Sequence, residues 1–192
     1  MPNFIEDFMT SMGPEVTKKL GSSLNVDQGT LQKIIPLVAP MILGGLKKQS
    51  ESFGGQQRVD HILNKYGSAD VLQNLDQLFS NKKNDPKTDQ KLGGLLGDAG
   101  TQAANLISKN FNLDSNTAMK LIPMLAPVIL GFLTKKRDTQ SAGSSAIAAL
   151  LDANGDGSIF DDVAGFILNQ ATGQKSGNLL TNLLGSLFGK KN

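Results

Sequence analysis

Residues 25–48, NVDQGTLQKIIPLVAPMILGGLKK, recur at 112–135 as NLDSNTAMKLIPMLAPVILGFLTK, without a gap and with at least half of the aligned positions identical. Average amino-acid usage would supply about one or two identities over such a window. The chain is therefore a tandem duplication with an offset of 87 residues. Its fold must bury two copies of one apolar, proline-bearing segment, because a repeat unit rarely covers its own hydrophobic face. Weaker matches extend the repeat at an offset of 88: residues 59–75 align with 147–163, and LGGLLG (92–97) aligns with 180–185. We place the first helical unit at residues 1–88 and the second at 89–192, the latter with a C-terminal closing helix. Leu179 to Gly189 resembles the opening of a third unit that stops.

Periods of three and four recur along the chain and clean alternation does not, which predicts an all-α fold of two tandem helical repeat units of about 87 residues. Asp27 and Asp114 precede good helix formers and are expected to be N-caps. The cores Ile34 to Leu46 and Leu121 to Leu133 are apolar on every side, as expected of helices buried within each unit. At 13 residues each they are too short to span a bilayer. Each contains a Pro-x-x-x-Pro pair, and an interior proline costs a helix about 3 kcal/mol. A helix break is therefore expected near Pro36 and Pro123, with Pro40 and Pro127 opening the next helix. Gln49 to Gln57, Asp138 to Ser145 and Ser80 to Gln90 read as loops by composition.

Composition removes several chemistries. The chain has 0 Cys and 1 His (His61), so thiol catalysis, disulfides, and cysteine- or histidine-rich metal centres are excluded. The net charge of +2 is evenly spread: residues 1–88 hold ten basic and nine acidic side chains, and residues 89–192 nine and eight. No basic stripe of the kind that marks nucleic-acid binders is present. The lysine pairs mostly follow apolar segments, where helix C-termini favour cations. Met1 to Met12 carries Glu6 and Asp7 and no basic start before an apolar stretch, so no secretion signal is expected. The cytoplasm is the default location, with the cell envelope as the alternative.

The duplicated IIPLVAPMILGGL (34–46) and LIPMLAPVILGFL (121–133), the Gly-Leu phrases LGGLLG (92–97) and LLGSLFG (183–189), and LDANGDGSIFDDV (151–163) together resemble the YidB-like group of bacterial domains of unknown function. The resemblance runs through both units. It implies an all-helical fold, sometimes described as homeodomain-like, and no established activity.

One stretch carries metal chemistry. Asp152, Asn154, Asp156 and Ser158 stand at the first, third, fifth and seventh positions of an EF-hand-like loop, with Gly157 at the turn and Ile159 placed to pack inward. The twelfth position is Val163 where a bidentate Glu is expected. Asp161 and Asp162, at positions ten and eleven, are the candidate replacements. The predicted cofactor is calcium, bound weakly and structurally; an Asx-rich turn is the alternative. The equivalent first-unit loop, Asn64 to Asp70, keeps Gly67 but has lost the acids, which confines any such site to the second unit.

No acid, base and nucleophile set is visible, so an enzyme is the poorest expectation, and no small-molecule substrate is evident. His61 reads as a surface or boundary residue. The glycines of Gly93-Gly94-x-x-Gly97 read as close-packing positions, not a phosphate loop, since no strand precedes them. The amphipathic segment Asn178 to Lys191 is expected to pack on its own unit before a membrane surface. The sequence therefore predicts a non-enzymatic helical interaction or structural module, with a protein partner or self-association ahead of a membrane surface. DNA binding rests only on the homeodomain-like analogy.

Overall fold

The computed structural model describes residues 4–85, 92 and 94–139. These residues form α1 (Phe4–Ser11), α2 (Gly13–Leu24), α3 (Gln28–Phe53), α4 (Gly55–Tyr66), α5 (Leu75–Lys83), α6 (Asp98–Phe111) and α7 (Ser115–Thr139). A 3-10 turn, Ala69–Gln73, joins α4 to α5, and no strand occurs among the described residues.

The corners entering the two longest helices are built alike. α2 and α6 end on Asn25 and Asn112, both left-handed with φ of 55° and 51°, a backbone region that Asn tolerates better than most residues. The next amides fold back: Val26 donates to the Gly21 carbonyl at 3.1 Å and Leu113 to the Ser108 carbonyl at 3.0 Å. Asp27 then accepts from the Thr30 amide at 3.1 Å and Asp114 from the Thr117 amide at 3.0 Å, so both expected N-caps are in place. The Thr30 hydroxyl also donates to Asp27.

The expected break at the prolines does not occur. α3 runs unbroken through Pro36 and Pro40, and α7 through Pro123 and Pro127. Each proline removes one ladder bond, but the residues around them are among the most buried in the protein. Ile34, Ile35, Val38, Ile42 and Leu46 of α3 have no exposed surface, nor do Leu121, Ile122, Leu125, Val128 and Ile129 of α7. Burial of one aliphatic side chain contributes about 1.5–3 kcal/mol, so five per helix outweigh two proline penalties of about 3 kcal/mol. The same continuity overturns the loop expected at Gln49 to Gln57. α3 extends to Phe53, and Gly54, at φ 124°, alone separates it from α4.

α7 is the axis of the structure: α3, α4, α5, α6 and the 3-10 turn all pack against it. The buried side chains form one hydrophobic cluster that draws on α1 through α7. The boundary at 88/89 lies in a stretch outside the described residues, and the core continues on both sides of it. At 26 and 25 residues, α3 and α7 are twice the expected length, and by length and composition either could cross a bilayer. Most of each apolar stretch is instead buried against the rest of the protein, as in a core helix.

The turn that ends α4 approaches α7 closely because each carries glycine there. A Cβ on Gly67 would lie 2.9 Å from Leu130, and one on Gly131 would lie 2.8 Å from the Ser68 carbonyl oxygen. Arg137 ties the same two helices, with Nη1 3.3 Å from Asp60 Oδ1 and Nη2 3.0 Å from Asn64 Oδ1. Burial works against the Arg137 charge, but Asp138 and Asp60 outweigh it and hold the guanidinium above its ordinary pKa.

Candidate functional site

The crossing of α4 over α7 leaves a cavity of about 540 Å³, closed by the C-terminal end of α5 and by Leu92 and Leu95. Its size falls in the range of small-molecule sites, about 300–1,000 Å³. α7 supplies an apolar floor of Pro123, Met124, Ala126, Pro127 and Leu130. Pro123 and Pro127 stand one turn apart, and Pro127 has no amide to donate to the Pro123 carbonyl. The floor is therefore the face of α7 on which its hydrogen-bond ladder is interrupted.

The rim is basic. α4 contributes Arg58, His61 and Lys65 from one face, at the i, i+3, i+7 spacing that aligns side chains along a helix. α5 adds Lys82 and α7 adds Lys120, against one carboxylate, Asp85, among the described rim residues. Neutral groups hold several of these cations. Arg58 Nε donates to Gln49 Oε1 at 3.0 Å. Lys120 Nζ donates to the Lys83 carbonyl at 2.9 Å, satisfying the end of α5. The Lys65 ammonium lies 5.2 Å from the centre of the Tyr66 ring, which is half exposed at the rim.

Among the described lining residues there is one imidazole, His61, and no serine, threonine or cysteine. The arrangement offers an apolar surface beside positive charge.

The six residues predicted to hold calcium, Asp152, Asn154, Asp156, Ser158, Asp161 and Asp162, lie outside the described residues, as does the segment Asn178 to Lys191. The first-unit counterpart of the loop is described. α4 ends at Tyr66, Gly67 caps it, and Ser68 caps the 3-10 turn by accepting from the Asp70 amide at 3.3 Å. Among the described residues no group of three or more His, Asp or Glu is placed to hold a metal. His61 is exposed, at the cavity mouth. The cavity was missed in the sequence, although the spacing of Arg58, His61 and Lys65 was a usable signal: three basic side chains on one face of an amphipathic helix.

No curated protein and no solved structure matches the chain. The model of one family, described as a bacterial protein of unknown function (DUF937), matches residues 6–136 and again residues 134–192. The first match takes in both double-proline helices and every described wall of the cavity. The chain, matched twice in tandem and helical in its described residues, belongs to the DUF937 family of bacterial proteins of unknown function.

Proposed function

We propose that the chain is a non-enzymatic helical binding module whose ligand enters the cavity between α4 and α7. The observation that carries this reading is the pairing of an apolar floor on α7 with a cationic rim drawn from three helices. Specific small-molecule sites commonly combine an apolar lining with a few convergent polar groups. A fluorescent apolar anion, 8-anilinonaphthalene-1-sulfonate, tests it directly. One molecule should bind per chain, and Pro127→Phe, which fills the floor, should abolish the signal while circular dichroism remains helical. No binding to the unmodified chain, or equal binding to the filled variant, would remove the reading.

Calcium at Asp152 to Asp162 is a second, structural ligand in this proposal. It is supported by the register of oxygen-bearing residues at the first, third and fifth loop positions and of Gly157 at the sixth. Without a bidentate acid at position twelve the affinity should be micromolar to millimolar. Calorimetric titration with calcium should show heat that Asp152→Asn and Asp156→Asn together remove. A homeodomain-like role on DNA ranks behind both, because it rests on fold analogy alone.

A further inference from the structure

We infer that the α4–α7 cavity takes an amphiphile with an anionic head, its carboxylate or phosphate at the rim and its apolar tail along the proline face of α7. This rests on the cavity being the binding site and names the chemistry it selects. The argument starts from charge. The whole chain carries +2, from 19 basic and 17 acidic side chains, so the two signs are nearly balanced overall. Among the described residues lining the cavity the balance is four cations, Arg58, Lys65, Lys82 and Lys120, to one carboxylate, Asp85.

The partners of these cations sharpen the contrast. Elsewhere in the described structure several basic side chains meet acids: Lys19 lies 2.8 Å from Asp76 and 3.1 Å from Glu15, Arg137 pairs with Asp60 and Asp138, and Lys136 pairs with Asp7. At the rim, Arg58 meets an amide, Lys120 a backbone carbonyl and Lys65 an aromatic ring. Neutral partners orient a cation without cancelling its charge. Gathering like charges around one mouth is unfavourable by itself, and an incoming anion relieves it.

The rest of the cavity selects against a bare inorganic anion. Pro127 and Leu92 present part-exposed hydrocarbon that a tail would cover, backed by the buried Met124, Leu130, Ile62 and Leu95. The long stems of the lysines and Arg58 extend that apolar wall to the mouth while their charged ends stay in water. Head and tail are therefore recognised at different depths. Each added methylene should tighten binding about fourfold until the tail outgrows the floor.

The experiment is isothermal titration of the full chain with four ten-carbon ligands below their micelle concentrations: decanoate, decyl phosphate, decanol and decylamine. Decanoate and decyl phosphate should bind one per chain and at least tenfold tighter than decanol, with decylamine weakest. Octanoate should bind roughly 15-fold more weakly than decanoate. Lys65→Gln with Lys82→Gln should weaken decanoate and leave decanol unchanged; Lys65 is exposed and Lys82 half-buried, and neither belongs to the hydrophobic core. Equal binding of decanol and decanoate would leave the cavity reading standing and overturn the anionic selection. No binding by any of the four would overturn both. Vesicles of phosphatidylglycerol in phosphatidylcholine separate the two sources of such a head. Binding to vesicles without binding of monomeric decanoate, or vesicle binding that Pro127→Phe leaves unchanged, would place the interaction on a membrane surface and sink the proposal.

Discussion

The two double-proline helices are copies in sequence and fill the same gap by opposite means. At the position where α3 carries Gly45, α7 carries Phe132, 87 residues later. Phe132 meets Phe4 and Phe8 of α1 edge-on, with ring centres 5.5 and 5.3 Å apart. The residue 87 positions after Phe8 is Leu95, and a Cβ on Gly45 would lie 2.6 Å from the Leu95 carbonyl oxygen. The opening segment of each unit thus reaches the proline helix of the other. One junction is filled by three aromatic rings; the other closes by bringing backbone against backbone. Protein interiors tolerate few voids, so duplicated positions can exchange volume provided that the total is kept. The lesson is that this repeat preserves contacts across units and not residue size.

The sharpest way to break that comparison is Phe132→Ala. It removes the shared ring of the aromatic junction and should cost about 3–5 kcal/mol in urea unfolding. A loss under 1 kcal/mol would mean that α1 is not held by α7. The reciprocal junction should fail by overpacking: Gly45→Ala has no room before the Leu95 carbonyl and should cost about 1–3 kcal/mol. Gly131→Ala tests the crossing of α7 with the Gly67–Ser68 turn and should fall in the same range, about 1–3 kcal/mol. Combined with Gly67→Ala it should be non-additive, because either methyl already separates the elements.

A smaller difference separates the corners. Gly21 sits where an added Cβ would lie 2.7 Å from the Val26 carbonyl oxygen. In the second copy Ser108 occupies that place, and its hydroxyl donates to the Leu113 carbonyl at 2.7 Å. Ser108→Gly should therefore cost about 1 kcal/mol, the worth of one hydrogen bond, measured by thermal unfolding. The smallest effect should come from the caps, where the copies agree. The Thr30 hydroxyl, and the Thr30 amide behind it, hold the Asp27 carboxyl below its usual range, and Thr117 does the same for Asp114. A carboxyl with a lower pKa folded than unfolded adds stability above the unfolded value, about pH 4. That contribution is lost as pH falls through the folded value. Asp27→Asn with Asp114→Asn should flatten the acid limb of the stability curve and leave neutral pH nearly unchanged, since Asn also caps well.

Much of this fold was legible in the chain. The offset of 87, the helical periods, and the Asp caps are local or self-referential signals, readable from residues a few positions apart or from one copy against the other. The fate of the prolines was not. The penalty at Pro36 or Pro123 can be stated from the sequence, but the burial that overcomes it comes from residues elsewhere in the chain. Loop composition misled for the same reason at Gln49 to Gln57, where polar residues continue a helix already nucleated by its buried half. The cavity was half legible: Arg58, His61 and Lys65 share a helix face by spacing, while Lys82 and Lys120 join them only through the packing of α5 and α7.

What the sequence by itself determined is the duplication, the all-helical class, the capping chemistry and the even spread of charge, since each follows from neighbours in the chain or from composition. What only the tertiary structure decided is which proline helix each opening segment reaches, that both proline helices stay whole, and that four cations meet above one apolar floor. Those outcomes depend on burial and close approach between residues tens of positions apart, and no local pattern encodes the energy released when such surfaces come together.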